Sequence, residues 1–181
     1  DEAATLAQLE ALAQIDEAQA PSADPATAFY ARPRTLAELL GWRTAHPQAL
    51  LVAGTTDVGL WITKLQRRYA QIIDVTRVAE LRRIERSDAV LTIGAAATLT
   101  EAFDALAEDR PQLMPFFERF AGRPVRNSGT LGGNVVNGSP IGDSMPLLIA
   151  LGATLVLAGA QGERRLPIED FYLAYRKTAL A

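Results

Sequence analysis

Two stretches of the 181-residue chain carry residue types and spacings that can hold a ligand. The first is Asn127-Ser-Gly-Thr-Leu-Gly-Gly-Asn-Val-Val-Asn-Gly-Ser-Pro-Ile-Gly-Asp143, with five of the 13 glycines and no charge before Asp143. Glycine costs backbone entropy on folding, so this density points to left-handed turns or to a ligand lying against bare backbone. Ser128, Thr130, Asn134, Asn137 and Ser139 add hydroxyls and amides that can bond sugar or phosphate oxygens. Arg123 and Arg126 stand just upstream. A turn-rich connection between strands would have the same composition. In the second stretch, Ala49-Leu-Leu-Val-Ala53 runs into Gly54-Thr55-Thr56-Asp57, and Val58-Gly-Leu-Trp-Ile-Thr-Lys-Leu65 continues as a helix. Strand, glycine turn and helix start present free backbone N–H groups to an anion. Thr55 and Thr56 are placed to cap the helix. Asp57 repels phosphate unless it points elsewhere, and reads as a first-turn acid favoured by the helix dipole. A bare helix N-terminus gives the same pattern.

Missing residue types bound the remaining chemistry. The chain has no cysteine, which excludes thiolate-held iron–sulfur clusters, cysteine zinc sites, disulfides and cysteine nucleophiles within it. That fits a reducing, cytoplasmic compartment. The single histidine, His46, precedes Pro47 and reads as a solvated loop residue rather than a member of a Ser–His–Asp triad. No catalytic side chain and no metal ligand set is assigned, so any redox chemistry belongs to a borrowed cofactor. A net charge of −3 argues against a nucleic-acid footprint. No apolar run is long enough to cross a bilayer, and no signal-peptide layout opens the chain.

The scaffold must come from local patterns. Residues 1–27 read as a helical segment with a Leu6, Leu9, Leu12, Ile15 stripe and a Pro-rich linker, leading from a preceding domain. The chain starts without methionine, which suits a piece of a longer product. Residues 28–34 suit a short edge strand, and Thr35-Leu-Ala-Glu38 is a capping box opening a helix to about Thr44. Ala49–Ala53 reads as a buried strand and Tyr69–Val75 as another, with Lys64, Arg67 and Arg68 on the exposed face of the helix between them. The order strand–helix–strand–helix–strand makes a small α/β unit over about 28–80. Leu81–Arg86 and Ala89–Gly94 suit a hairpin around Ser87-Asp88. Thr98-Leu-Thr-Glu101 is a second capping box, with Leu99, Phe103 and Leu106 on one helix face. Pro111 and Pro115 frame a break before Phe116–Phe120. Ser144 is placed to cap a helix that Gly152 ends, and Ala153–Ala158 with Arg164–Pro167 forms a hairpin over Ala160–Glu163.

Neither glycine stretch is a P-loop, since no Gly-Lys-Ser/Thr follows. Gly129-Thr-Leu-Gly-Gly133 also misses the G-x-G-x-x-G dinucleotide pattern. Two Gly/Thr loops from different units nevertheless suit a long diphosphate-bearing ligand between them. A flavin dinucleotide has that length and would bring the redox chemistry the chain lacks.

Leu51-Val-Ala-Gly-Thr-Thr-Asp-Val58, Gly129-Thr-Leu-Gly-Gly-Asn134, Ser139-Pro-Ile-Gly-Asp143 and Tyr175-Arg-Lys-Thr178, in this order, resemble the FAD-binding domain of the xanthine dehydrogenase family. That family lies within the molybdenum hydroxylases, and the form resembled is the bacterial small-subunit type. The resemblance covers Phe29 to the last residue, and Ser-Pro-Ile-Gly-Asp looks like the xanthine dehydrogenase rather than the carbon monoxide dehydrogenase branch. The four motifs are specific jointly and none is alone. The resemblance implies an α+β, two-subdomain flavin fold of the vanillyl-alcohol-oxidase (PCMH) type. Its small α/β subdomain spans about 28–80, and the larger α+β subdomain, about 81–181, is incomplete. By position, Leu51, Val52, Ala53, Gly54, Thr55, Thr56, Asp57 and Val58 would wrap the pyrophosphate. Thr130, Leu131, Gly132, Gly133 and Asn134 would hold the diphosphate and neighbouring groups from the other side. Phe120 would contact the cofactor, against the alternative of a plain core phenylalanine. Asp143 would accept hydrogen bonds from cofactor hydroxyls, against the alternative of a helix N-cap. Leu173–Lys177 receive no role.

Two departures stand out. The family loop usually reads Ala-Gly-Gly-Thr-Asp, and a positive φ at Thr55 would be strained for a β-branched residue. The family domain also continues past the Arg-Lys-Thr segment, whereas this sequence stops at Ala181. The resemblance further implies FAD reduced from [2Fe-2S] clusters in an iron–sulfur domain, and NAD as electron acceptor. It places hypoxanthine and xanthine oxidation at a molybdopterin-binding subunit, in a cytoplasmic hetero-oligomer without nucleic-acid or membrane partners. The lack of cysteine agrees with clusters held elsewhere. Gly132→Val is expected to crowd the backbone and abolish flavin retention. Competing readings are the FAD module of another molybdenum hydroxylase, a free-standing flavin reductase of the same superfold, and a non-catalytic scaffold. The reductase would need an active-site acid or substrate domain, for which the chain offers no candidate.

Overall fold

The computed structural model describes residues 2–14, 28–87, 89–174 and 177–180. The predicted linker, Ile15, Asp88, Tyr175 and Arg176 lie outside the described residues. Helix α1 (Glu2–Gln14) carries Leu6 and Leu9 exposed. No helix among the described residues is long and apolar enough to cross a membrane.

The expected α/β order follows as β1 (Phe29–Ala31), α2 (Leu36–Ala45), β2 (Leu50–Val52), α3 (Val58–Thr63) and β3 (Gln71–Asp74). The strands form a parallel sheet in the order β1-β3-β2, with Tyr30 opposite Ile72 and Val52 opposite Asp74. Parallel neighbours require crossover connections, which α2 and α3 supply. Ala31, Leu39, Ala49, Ile73 and Val78 form the core of this part. Because β3 takes the centre, β2 is left at an edge, and the strand expected to be buried is half open: Val52 is buried but Leu51 is 39% exposed. The period-2 alternation of a strand sends the two side chains to opposite faces.

Local signals resolve in detail. The Thr35 Oγ1 accepts the Glu38 N–H at 3.2 Å, but the Glu38 carboxylate reaches back to the Arg34 N–H at 2.7 Å. The predicted box is therefore one residue wider than the motif. Helix α3 stops at Lys64, and Gln66 turns left-handed at φ 53°. Lys64, Arg67 and Arg68 thus lie beyond the helix rather than on its face, with the Arg67 guanidinium 5.8 Å from the Trp61 ring. His46 is not a plain solvated residue either. It closes α2, its N–H donating to the Trp42 carbonyl at 2.9 Å and its ring packing 4.5 Å from Phe29.

The rest of the chain is helices and antiparallel hairpins: α4 (Ala79–Arg82), β4 (Ile84–Arg86), β5 (Leu91–Ile93), α5 (Leu99–Asp109), α6 (Met114–Arg119), α7 (Arg123–Ser128), α8 (Leu131–Asn137) and α9 (Ser144–Ala150). The hairpin β6 (Thr154–Gly159) and β7 (Gly162–Pro167) follows, then the pair β8 (Tyr172–Ala174) and β9 (Lys177–Thr178). The architecture is mixed helix and strand, as the α+β expectation has it. The α5 capping box is complete: Thr98 Oγ1 accepts the Glu101 N–H at 3.1 Å, and the Glu101 carboxylate accepts the Thr98 N–H at 2.8 Å. That backbone hydrogen bond is the main reason the Glu101 carboxyl titrates below its ordinary value. Leu99, Phe103 and Leu106 are buried with Phe117, Leu131, Val135, Ile168 and Phe171 in the larger core. Each such large side chain stabilises the fold by roughly 1.5–3 kcal/mol on burial.

Three expectations are corrected here. Most of the glycine-rich stretch is helix rather than loop, because α7 and α8 leave only Gly129 and Thr130 between them. Ser144 does not cap α9. It is the helix's first residue, fully buried, and its hydroxyl donates to Asn134 Oδ1, while Asp143 takes the N-cap position without a side-chain cap bond. The β6–β7 turn consists of Ala160 and Gln161 alone, with Gly162 and Glu163 already in the strand. Gly152 ends α9 as expected, left-handed at φ 64°, with the Ala153 N–H on the Leu148 carbonyl and its own on Ile149, both at 2.9 Å.

Candidate functional site

The two stretches singled out by composition meet. At the end of β2 the chain turns through Ala53–Asp57 into α3, and opposite it Gly129 and Thr130 join α7 to α8. The Ser128 hydroxyl donates to the Gly54 carbonyl at 2.8 Å, and the Asn137 Nδ2 donates to the Asp57 carboxylate at 3.2 Å. A Cβ on Gly54 would lie 1.9 Å from the Ser128 oxygen, so the backbones can only touch because position 54 has no side chain. Thr130 also bridges Thr98 as an isolated antiparallel pair, which joins α8 to the start of α5.

A cavity opens on each side of this contact. The first, about 290 Å³, is lined by Ala53, Gly54, Thr55, Thr98, Asn127, Ser128 and Thr130, with Thr76, Arg82 and Ala96 closing it. The second, about 260 Å³, is lined by Asp57, Phe120, Ala121, Asn134, Asn137, Ser139, Ile141, Gly142 and Asp143. Eight predicted site residues are therefore brought to the two cavities. Leu51, Val52, Thr56, Val58, Leu131, Gly132 and Gly133 line neither. Val52 and Leu131 are both buried, Leu131 in the larger core. The missing side chain of Gly132 is explained within the fold, since a Cβ there would lie 2.5 Å from the Ala95 Cβ.

An anion in the first cavity needs hydrogen-bond donors, and most candidates are already engaged. At the start of α8 the Leu131 N–H donates to Ala97 and the Gly132 N–H to Ala95, both at 3.0 Å. The Gly133 N–H goes to Thr130 Oγ1 at 3.1 Å and the Asn134 N–H to the Thr130 carbonyl at 3.0 Å. A helix leaves its first N–H groups without intrahelical partners, but here they are spent inside the protein. What the 130–134 stretch can still offer a ligand is the N–H and hydroxyl of Thr130 and the Asn134 amide. The upstream turn is the reverse: the N–H groups of Thr55, Thr56 and Asp57 have no acceptor among the described residues. Thr55 and Thr56 do not cap α3, whose N-cap is Asp57 without a side-chain bond.

The backbone of Thr55 is left-handed, φ 55°, as its departure from glycine threatened. An L-residue there is strained by roughly 1–2 kcal/mol, and a β-branched one no less. Thr55→Gly should therefore raise the stability of the assembled protein by about 1 kcal/mol, after allowing for the larger chain entropy of glycine. Chemical denaturation of the two proteins side by side checks this, and a lower midpoint for the variant would show that Thr55 is held by contacts worth more than the strain.

Charge divides the two cavities. Among the described residues, Arg82 lines the first and no carboxylate does; Asp57 and Asp143 both line the second. The Asp57 carboxylate is thus turned to the Asn137 side, and its awkward position beside a phosphate turn disappears. The first cavity suits an anion, and the second suits hydroxyl donors beside an aromatic ring. Phe120 packs 4.9 Å from the Phe103 ring and also lines the second cavity. Arg126 is spent bracing this corner, donating to the Phe120 carbonyl at 2.8 Å and to Ala121 at 2.7 Å.

Sequence reasoning missed Thr76, Arg82 and Ala96, and read Thr98 only as a cap. Thr76 is positioned by the buried Asp74, whose carboxylate accepts its N–H at 2.8 Å and its hydroxyl at 2.6 Å. The same carboxylate accepts the Tyr30 hydroxyl at 2.5 Å. Burial first and this hydrogen bond second push the Tyr30 hydroxyl up to about 12.

The chain itself falls in a known class. Residues 22–181 match the family described as the FAD binding domain in molybdopterin dehydrogenase, and the chain belongs to that family. Among its relatives, the xanthine dehydrogenase FAD-binding subunit of Escherichia coli O157:H7 is 35% identical over 156 residues, covering 84% of this chain and 53% of that protein. The xanthine dehydrogenase of Drosophila subobscura is 37% identical over 166 residues, 82% of this chain and 12% of the fly protein. In structure, the quinoline 2-oxidoreductase of Pseudomonas putida 86 superposes with a TM-score of 0.78 at 28% identity, over 87% of this chain and 55% of that one. The chain thus spans about half the length of the bacterial subunit it matches, 53%.

Proposed function

We propose that this chain is the FAD-carrying part of a xanthine dehydrogenase, working in electron transfer rather than in oxidation of the organic substrate. The observation that carries the reading is the contact between the Gly54 turn and Ser128, with an anion-suited cavity on one side and a hydroxyl-suited cavity on the other. Bound there, FAD supplies the redox chemistry that the side chains lack. The residues fit it. The free N–H group at Thr55 and the Thr130 hydroxyl would hold the diphosphate, with Ala53 and Gly54 being the other members of the Leu51–Val58 stretch on that wall. Asp57 and Asp143 accept hydroxyls of the sugar or sugar alcohol, the Asn134 amide donates, and Phe120 lies against the cofactor. The division into lobes at about residue 80, in a fold of the vanillyl-alcohol-oxidase type, is supported by the two separate cores.

The rest of the reading extends from the relatives. Electrons arrive from [2Fe-2S] clusters on an iron–sulfur domain, which the absence of cysteine here requires to be elsewhere. A molybdopterin-binding subunit oxidises hypoxanthine and xanthine, NAD is the acceptor, and the hetero-oligomer is cytoplasmic. The test uses the full-length product assembled with its partners. Flavin absorption and stoichiometric FAD released on denaturation are expected, with NADH formed when xanthine is supplied. A correctly assembled complex that releases no FAD on denaturation would refute the flavin assignment. Xanthine turnover that consumes oxygen and forms no NADH would overturn the acceptor alone.

A further inference from the structure

Among the described residues that line the first cavity, Arg82 is the cation. It is the last residue of α4, and its neighbours are pinned: the Ala96 N–H donates to the Leu81 carbonyl at 2.7 Å and the Gly94 N–H to the Arg83 carbonyl at 2.8 Å. These bonds hold the Arg82 backbone against the cavity wall. Its side chain is 55% exposed and pairs with Glu101 at 3.7 Å, too far for a hydrogen bond. Glu101 is meanwhile satisfied by the Thr98 N–H and the Thr98 hydroxyl, both at 2.8 Å. The guanidinium can therefore turn to a stronger partner without stranding a carboxylate.

The other polar groups of the wall show why it is needed. The hydroxyl protons of Thr76, Thr98 and Ser128 are donated inward, to Asp74, Glu101 and the Gly54 carbonyl. Asn127 differs: its Oδ1 accepts the Thr100 hydroxyl at 2.6 Å, which fixes the amide and leaves Nδ2 as a donor at the cavity. Neutral donors alone would leave a dianionic diphosphate uncompensated, whereas a guanidinium can bind two of its oxygens at once.

We propose that Arg82 is the counter-cation of the cofactor's diphosphate, with the Asn127 side-chain amide donating beside it. The proposal rests on the flavin reading above. Arg82 lies outside both glycine stretches, and Asn127 stands at the head of the first without an assigned role.

The test is equilibrium titration of the flavin-free, assembled protein with FAD, read by quenching of flavin fluorescence at low and high salt. Arg82→Ala is expected to weaken FAD binding about tenfold at low salt, with the gap to the wild type closing at high salt as the charge is screened. Arg82→Lys, which keeps the charge but not the second hydrogen bond, should recover part of the affinity and Arg82→Gln little, which distinguishes charge from packing and carries the comparison if the alanine variant does not assemble. Asn127→Asp keeps the shape but turns a donor into a like charge, and should weaken FAD at least as much. Arg82 variants that bind FAD as the wild type does overturn the counter-cation, and an unaffected Asn127→Asp overturns its companion. Both outcomes leave the flavin reading standing. A wild-type protein that takes up no FAD removes that reading and the proposal with it.

Discussion

Gly54→Ala is expected to empty the assembled protein of FAD and to lower its thermal midpoint by about 10 °C. The added Cβ would lie 1.9 Å from the Ser128 oxygen and 2.6 Å from both the Ser128 carbonyl carbon and the Gly129 Cα. All three are backbone atoms, so no rotamer change relieves the contact. Retreat is blocked as well. Gly129 is held by its own N–H on the Val125 carbonyl at 2.7 Å and by the Leu99 N–H on its carbonyl at 2.8 Å. Overpacking that side chains can absorb costs about 1–3 kcal/mol, and a backbone-on-backbone clash belongs at the top of that range. About 3 kcal/mol in a chain of this size corresponds to the midpoint shift above. Gly59→Ala is the control, because among the described residues no atom beyond its own helix backbone and chain neighbours lies within 4 Å of its added Cβ, and the position is inside α3. It should stabilise by about 0.5–1 kcal/mol. A Gly54→Ala protein with wild-type flavin content and midpoint would mean that the two loops do not touch.

The parts of this architecture that depend on neighbours in sequence were legible, and those that depend on neighbours in space were not. The Thr98–Glu101 box could be read because both of its hydrogen bonds close within three residues. The parallel sheet could be anticipated from the alternation of apolar runs with helices, but not its order, and the order leaves Leu51 outside. Ser144 shows the limit. A small polar residue ahead of an apolar run has the signature of a cap, and only the packing of α8 against α9 turns its hydroxyl onto Asn134. Gly54 and Ser128 are 74 residues apart, so the contact that makes the site has no local signal. The glycines pointed to the right stretches for a partly different reason, since Gly54 and Gly132 admit backbone and Ala95 rather than open space. Arg82 reads as part of a hairpin strand, and the fold instead places it at the end of the one-turn helix α4, on a cavity wall.

Gly132→Val is therefore expected to fail before any ligand is involved. The crowding anticipated from the sequence was against a cofactor. In the fold, the first added atom would lie 2.5 Å from the Ala95 Cβ, 2.6 Å from its oxygen and 2.7 Å from its Cα. The Gly132 N–H and Leu131 N–H bonds to Ala95 and Ala97, each 3.0 Å, tie α8 to that segment and would have to stretch together. The segment cannot yield outward easily, since Ala96 and Ala97 are buried and the Ala96 N–H is fixed on Leu81. Two further methyl groups on valine add to the strain, for a total destabilisation of roughly 4 kcal/mol or more. Loss of assembly and of soluble yield should accompany loss of FAD, because Ala96, Thr98 and Thr130 in the first cavity's wall move with α8. Thermal unfolding of the FAD-free proteins separates the two explanations. A Gly132→Val protein that unfolds at the wild-type temperature yet retains no FAD would mean that the valine displaces the cofactor directly and that α8 does not pack on Ala95.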